Sequence, residues 1–296
     1  MTKKNLILSH IALFTANLIY AGNYTIAKEV MPEFIGPFGM ILLRVIVAAL
    51  IFTFCHLMFI SEPVRSKKDY AHLLLCALFG VAINQMMFFK GLSMTNPINP
   101  AIIMMATPIM VLIASYFLLK ESLGWKRITG ITLGVIGSVT LILSSSSESF
   151  GLVRSNALGD LFVLINASSY GIYLVIVKPL MKKYHPITVM RWMFSFGIVL
   201  VIPFGGPELI KVNWSILDTR IWICIAYVLV FVTVLAYYFN SWALVRVSPT
   251  LVSFYIYLQP VLAGIIAISL GKDSLNLPMM ICAVIIVSGV YFVSKK

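Results

Sequence analysis

Amide and phenol side chains recur at helical spacing within an apolar segment near the start of the chain. Asn17, Tyr20 and Tyr24 follow i, i+3, i+7 spacing, with Asn23 beside them, so they would share one face of a helix. Such groups in an apolar segment either line a cavity and bind a solute, or hydrogen-bond neighbouring helices at roughly 0.6–2 kcal/mol per bond. The sequence leaves both alternatives open, and we treat the stripe as a candidate substrate-binding surface.

A second polar stripe lies in another apolar segment further along the chain. It consists of Asn166, Ser169, Tyr170 and Tyr173, at i, i+3, i+4, i+7 spacing. Tyr170 follows Tyr20 by 150 residues, an offset that a duplicated chain would explain. We therefore expect the two stripes to face each other across a shared cavity. Further candidates for this cavity are Tyr237, Asn240, Ser241, Tyr255 and Gln259.

Two basic residues within apolar segments have different expected roles. Arg44 is seven residues past Pro37, about 10 Å into the hydrocarbon core at 1.5 Å per helical residue. Burying it there would cost on the order of 3 kcal/mol unless it is paired or hydrated. We expect Arg44 chiefly to tie helices together, with contact to the substrate pathway as the alternative. Lys90 lies near the outer end of its segment, where it either extends to the membrane surface or contacts an anionic group of the substrate.

Carboxylates are missing from the middle of the apolar segments, so the usual proton-relay residue is absent. A cavity with basic residues and no carboxylate would favour anions or zwitterions, because an uncompensated positive charge repels cations at low dielectric. The cysteines all lie within apolar segments without CxxC spacing, which indicates buried thiols rather than disulfides or a metal cluster. We therefore expect no cofactor and no metal.

The composition indicates that membrane-spanning helices position these residues. Of 296 residues, 60% are hydrophobic and 11% are charged, and the mean hydropathy is +1.00, whereas a soluble domain would need more surface charge. A helix crosses a bilayer with about 20 residues, and apolar segments of that order recur along the chain. We predict spans at residues 6–27, 37–60, 71–94, 98–119, 128–146, 158–181, 187–204, 221–244, 250–270 and 277–294.

Lysine and arginine residues concentrate in the loops on one side of the predicted membrane. Because basic loops remain in the cytoplasm, we predict a multi-pass protein of the cell membrane with both termini cytoplasmic. The same asymmetry explains the net charge of +12 without nucleic acid as a partner. The expected partners are a small-molecule solute and the lipid bilayer, and the sequence leaves monomer and homodimer open.

One pattern occurs twice in the chain. Pro108 precedes Lys120-Glu121-Ser122-Leu123, and Pro260 precedes Lys272-Asp273-Ser274-Leu275, at one offset of 152 residues. We predict a first repeat at 1–147, a polar linker at 148–156 and a second repeat at 157–296. Five spans per half is an odd number, so the halves would enter the membrane in opposite directions. The expected fold is all-α: a polytopic membrane protein with ten transmembrane helices as two inverted five-helix repeats.

Proline occurs at equivalent positions in both repeats. Pro108 and Pro260 would kink the fourth and ninth spans, because proline frees a carbonyl from the helix. Such kinks either serve as hinges beside the substrate pathway or are tolerated in a packed bundle.

The turns after the fourth and ninth spans, together with the two five-span halves, resemble the drug/metabolite transporter superfamily. The greatest similarity is to its EamA-type branch of ten-helix exporters and permeases. Pro37…Arg44 and Pro186…Arg191 resemble the proline and arginine that this family carries in the second span, whereas Asp273 replaces the more usual glutamate. The resemblance implies the fold and a transport role but no particular substrate.

We expect a secondary transporter, and by this resemblance an exporter, that moves a small organic metabolite by alternating access. An amino acid or a related compound would be typical, and we expect no enzyme activity. An intramembrane lipid-modifying enzyme is the alternative, but the sequence has no DDxxD, HExxH or GxSxG motif. ATP-driven transport would need a P-loop, and GxxxxGK[ST] is also missing.

Overall fold

The computed structural model describes residues 3–94, 100, 103–120, 124–145, 157–259, 261–262, 265–266 and 277–294. These residues are helical almost throughout, and no strand occurs among them. The helices are α1 (Lys3–Val30), α2 (Pro37–Ile60), α3 (Lys67–Met94), α4 (Thr107–Leu119), α5 (Trp125–Ser145), α6 (Ala157–Lys183), α7 (Pro186–Ile210), α8 (Thr219–Arg246), α9 (Pro249–Leu258) and α10 (Leu277–Ser294).

The lengths and hydropathies of these helices confirm an all-α polytopic membrane protein. Within the described residues, α1, α2, α3, α6, α7 and α8 are long and apolar enough to cross a bilayer. Shorter apolar helices occur in α4, α9 and the second half of α10. The proposed linker at 148–156, the Glu121-Ser122-Leu123 turn and the Lys272–Leu275 turn lie outside the described residues.

The predicted end of the seventh span at residue 204 is wrong, because α7 continues to Ile210 through Pro203 and Pro207. Contact with α2 accounts for the extension. The backbone of Gly205 approaches Phe38 and Leu42 so closely that no side chain would fit between them. Tertiary packing therefore outweighs the local preference of proline to end a helix.

Each helix of the first half has a counterpart five helices later in the chain. Contacts between two helices recur between their two counterparts. Helix α2 packs against α7, and α5 packs against α10. Helix α3 contacts α6, and its counterpart α8 contacts α1. Likewise α3 contacts α7, and α8 contacts α2. Such a pattern is the signature of two halves related by a pseudo-two-fold axis.

The contacts between α2 and α7 show that the two halves are inverted. At one end, Glu208 Oε2 accepts hydrogen bonds from the backbone N–H groups of Phe38 (2.7 Å) and Gly39 (2.9 Å), in the first turn of α2. At the other end, Glu62 Oε2 accepts from the N–H of His185 (2.8 Å), immediately before α7. The carboxyl end of each helix thus meets the amino end of the other. Because α2 and α7 are equivalent helices, the repeats run in opposite directions, as predicted.

Two hydrogen bonds locate the pseudo-two-fold axis. Gln85 Nε2 donates to the hydroxyl of Tyr237 at 3.1 Å, and Tyr257 Oη donates to the Met105 carbonyl at 3.2 Å. In both pairs the residues are 152 positions apart, which is the repeat offset. A residue meets its own equivalent only near the axis, so the axis passes between α3 and α8.

Candidate functional site

A polar cavity lies at this axis, with walls from α1, α2, α3, α6, α8 and α9. Its volume is about 100 Å³, enough for several water molecules or one small solute. Phe88, Phe89, Val232 and Ile256 supply apolar wall. The polar lining residues are Asn17, Tyr20, Asn23, Arg44, Asn84, Gln85, Asn166, Tyr170, Tyr237, Asn240 and Gln259.

Both polar stripes contribute to this cavity. Tyr20 and Asn23 from α1 lie in its lining with Asn166 and Tyr170 from α6. The other predicted residues in the lining are Asn17, Arg44, Tyr237, Asn240 and Gln259. The inverted repeat thus brings the two stripes together as the helical spacing and the 150-residue offset led us to expect.

Five of the predicted residues lie outside the lining. The hydroxyl of Ser169 donates to the Phe79 carbonyl at 2.7 Å, and that of Ser241 to Met190 Sδ at 3.4 Å. Tyr173 is buried against Gly80 of α3, and its ring centroid is 5.8 Å from that of Tyr170. The hydroxyl of Tyr255 is 2.6 Å from His10 Nδ1 and links α9 to α1. Lys90 is half-buried on α3 and follows the lining residue Phe89; one residue turns the side chain by about 100° around a helix.

The remaining predicted positions are Tyr24, Pro260 and Pro108. The side chain of Tyr24 and the whole of Pro260 lie outside the described residues. Pro108 is buried in the first turn of α4, where its missing N–H costs no helical hydrogen bond. It lies outside the cavity lining, so the start of a helix, rather than a kink, accounts for this proline.

Several amide groups in the lining tie helices together. Gln259 Nε2 donates to Asn17 Oδ1 at 2.8 Å, which joins α9 to α1. Asn240 Nδ2 lies 3.4 Å from the hydroxyl of Tyr20, between α8 and α1. The same residues thus form hydrogen bonds between helices and line the cavity.

Three other amides present buried oxygens without a hydrogen-bond partner among the described residues: Asn23 Oδ1, Gln85 Oε1 and Asn166 Oδ1. The orientation of two of them follows from their neighbours. Asn166 Nδ2 donates to the Asn84 carbonyl at 2.7 Å, which accepts only. The Tyr237 hydroxyl is 3.4 Å from the Gly80 carbonyl, so its oxygen accepts from Gln85 Nε2. An unsatisfied buried acceptor is costly, and each of these oxygens can accept a hydrogen bond from a donor such as an ammonium group.

The single guanidinium in the described lining belongs to Arg44, which is only 3% exposed. Its Nε donates to Thr233 Oγ1 at 2.7 Å, and its Cζ lies 4.8 Å from the centroid of the Phe89 ring. Among the described residues no carboxylate forms an ion pair with it. The described lining therefore carries a net positive charge, which favours a carboxylate or another anionic group.

The sequence favoured Lys90 over Arg44 for contact with the solute, and the structure places Arg44 in the lining instead. Arg44 faces the cavity from α2, whereas Lys90 is turned by about 100° around α3 from the lining residue Phe89. Sequence reasoning also missed Asn84, Gln85 and Thr233. The Asn84-Gln85 pair is a detectable signal, because adjacent amides within an apolar span are costly unless they are used.

Comparisons with known proteins agree with this architecture. A model of the EamA-like transporter family matches residues 7–143 and 157–295. An uncharacterized transporter of Archaeoglobus fulgidus is 23% identical over 288 residues, covering 97% of this chain and 98% of the relative. The uncharacterized transporter YyaM of Bacillus subtilis is 25% identical over 224 residues, covering 76% and 73%. A solved crystal structure shares the fold with a TM-score of 0.77 at 18% identity, covering 97% of this chain and 96% of the other.

Proposed function

The chain belongs to the EamA-like transporter family, and on that premise we propose that it is a secondary transporter of amino acids or related small zwitterions. As a family member it is a multi-pass membrane transporter. The substrate class, the alternating-access mechanism, outward transport and the cytoplasmic position of both termini are parts of the proposal. Direction rests on the resemblance to ten-helix exporters, and orientation rests on the lysine and arginine bias of the loops.

The observation that carries the proposal is the chemistry of the cavity lining. A buried guanidinium without a carboxylate partner in the described residues is a site for a carboxylate. The unpartnered oxygens of Asn23, Gln85 and Asn166 can accept hydrogen bonds from an ammonium group. A solute that carries both groups would satisfy both kinds of lining. A volume of about 100 Å³ suits a small solute rather than a drug-sized one, which would need 300–1,000 Å³.

The position of the cavity supports alternating access. It lies on the pseudo-two-fold axis between inverted repeats, where transporters with inverted repeats bind their substrates. Rocking of one repeat against the other would open the cavity to one side and then to the other. Mostly apolar walls together with a few polar groups are typical of small-molecule sites.

The alternative, an intramembrane lipid-modifying enzyme, finds less support in this lining. Catalysis of that kind needs paired carboxylates that hold a metal, or a nucleophile beside a base. The described lining consists of amides, phenols, one guanidinium and apolar groups. These residues bind and orient a solute, and the phenols and guanidinium are poor general bases at neutral pH.

Counterflow in proteoliposomes tests the proposal. We expect vesicles loaded with L-alanine, L-threonine or L-phenylalanine to accumulate the same labelled amino acid, whereas amides and carboxylic acids that lack one charged group should compete weakly. Arg44→Gln should weaken the apparent affinity for the exchanged amino acid about 30-fold or more, and empty vesicles provide the background. Absence of exchange for all three compounds, in either direction and with or without a pH gradient, would refute the amino-acid assignment.

A further inference from the structure

A π-helical segment, Tyr227–Leu235, forms part of α8 where this helix borders the cavity. Helix α3 has its own π-helical segment, Leu78–Ile83. Adding the repeat offset of 152 to 78–83 gives 230–235, which falls within the α8 segment. The π-helix is rare and occurs often at functional sites. Its presence at equivalent places in both repeats, beside the axis, suggests that it shapes the cavity.

The π-helical segment of α8 fixes the hydroxyl of Thr233, whose side chain is fully buried. Thr233 Oγ1 donates to the carbonyl of Val228, five residues earlier, at 2.8 Å. Because its only proton is committed to Val228, the hydroxyl oxygen can act only as an acceptor toward other groups. It accepts from Nε of Arg44 at 2.7 Å. The direction of the bond between Thr233 and Arg44 is thus determined by the local backbone.

Two contacts then restrict the guanidinium of Arg44. Thr233 holds the Nε edge, and the ring of Phe89 lies beneath the guanidinium, 4.8 Å from Cζ to ring centroid. A guanidinium has five N–H donors, so the other four, on Nη1 and Nη2, remain. These are the donors that bind a carboxylate with two parallel hydrogen bonds.

We infer that Thr233 is a positioning residue, which aims the Nη1 and Nη2 edge of Arg44 at the carboxylate of the solute. The inference rests on the proposed function for the identity of the solute, whereas the orientation of Arg44 rests on the contacts alone. Without the hydroxyl, Nε would lose its acceptor in a buried environment, and the guanidinium could rotate about its long side chain. Selectivity for a carboxylate would fall although the positive charge remains.

Three variants separate positioning from packing. Thr233→Val keeps the branched shape and removes the hydroxyl, and Thr233→Ser restores the hydroxyl without the methyl group. Thr250→Val is the matched control, because Thr250 is also fully buried and its hydroxyl has no partner among the described residues. Each variant is reconstituted, and exchange rates are expressed per folded molecule.

The probes are L-alanine, L-threonine and L-phenylalanine, each compared with its own amide, which keeps the ammonium and lacks the carboxylate. For whichever amino acid wild type exchanges fastest, we expect Thr233→Val to raise KM about tenfold and change the maximal rate about twofold at most. Inhibition by the amide should stay the same, so discrimination between the two falls about tenfold. Thr233→Ser should restore wild-type KM, and Thr250→Val should leave it unchanged. Equal weakening of amino acid and amide, or a normal KM in Thr233→Val, would overturn the inference.

A second measurement tests whether Thr233 positions Arg44 without relying on transport. If wild type exchanges none of these probes, the amino-acid proposal fails, but this measurement still tests the role of Thr233. NMR of protein labelled at arginine nitrogen follows exchange of the Arg44 Nε–H with solvent, and Arg44→Lys assigns the signal. We expect slow exchange in wild type and in Thr233→Ser, and much faster exchange in Thr233→Val. Protection that persists in Thr233→Val would show that the hydroxyl does not position Arg44.

Discussion

The exchange of Arg44 for glutamine, compared with the same exchange at Lys90, tests the charge assignment of the cavity most directly. Both changes remove one positive charge and keep an amide that can form hydrogen bonds. Arg44 lies in the cavity lining, whereas Lys90 is half-buried outside it. The pair therefore separates a charge that contacts the solute from a charge that only contributes to the general field.

The expected loss of affinity follows from the carboxylate contact. Removing one partner of a buried, hydrogen-bonded charge pair costs about 2–5 kcal/mol, and 2 kcal/mol corresponds to roughly 30-fold in affinity. We therefore expect Arg44→Gln to weaken binding of a zwitterionic substrate about 30-fold or more. Lys90→Gln should change it less than about threefold, because Lys90 lies outside the lining and its charge acts on the solute only at a distance.

Folded protein should be far less affected than binding. The change at Arg44 removes a charged hydrogen bond to Thr233, worth about 1.5–3 kcal/mol, and a cation–π contact with Phe89, worth about 0.5–2 kcal/mol. It also relieves the burial of a charge without a carboxylate partner in the described residues, which costs on the order of 3 kcal/mol in a membrane span. The opposing contributions are similar in size, so membrane abundance should stay near that of wild type.

Initial exchange rates per folded molecule, over a range of substrate concentrations, provide the assay. Abundance is taken from the monodisperse fraction in detergent. Normal transport by Arg44→Gln together with loss of transport in Lys90→Gln would reverse the assignment. Wild-type behaviour of both variants would mean that the substrate carries no charge recognised by either residue.

Three further predictions concern the stripes, the packing and the topology. Tyr20→Ala and Tyr170→Ala should each reduce transport at nearly normal membrane abundance; lower thermal stability in detergent would instead identify packing residues. Gly289→Ala should reduce the melting temperature by an amount equivalent to about 1–3 kcal/mol, because a Cβ there would lie 2.8 Å from the carbonyl oxygen of the facing glycine in α5; an unchanged melting temperature would contradict this packing. Cysteine in place of Lys67 should be shielded from impermeant thiol reagents outside intact cells and cysteine in place of Lys211 should react, and the opposite pattern would reverse the orientation.

The helical spans could be predicted because hydropathy and length are properties of the sequence itself. The end of α7 could not, since Pro203 locally favours a break and only the packing of Gly205 against α2 carries the helix onward. Inversion of the repeats was predictable from an odd number of spans. The reciprocal glutamate caps between α2 and α7 confirm it by contacts that no local pattern contains.

The cavity lining was predictable where spacing alone selects a helix face. Tyr20 and Tyr170 follow that rule, but Tyr173 shares the Tyr170 face and packs on Gly80 instead, because spacing does not tell which neighbour a face meets. Thr233 gave no signal at all, since one threonine in an apolar run resembles any buried residue. The π-helical segment also alters the angular register that a spacing of 3.6 residues assumes.

The duplicated fold produces a site that is symmetric in its phenols and asymmetric in its charge. Tyr20 and Tyr170 are repeat equivalents, and both line the cavity. Arg44 is seven residues after Pro37, at the start of α2, and the equivalent position after Pro186 in α7 is Met193, which is buried and apolar. Through this position, only the first repeat can therefore offer a carboxylate a charged partner. Arg191 of α7, which the sequence pairs with Arg44, lies outside the described lining. A guanidinium that lines the cavity from one repeat alone would give a zwitterion a single orientation within it.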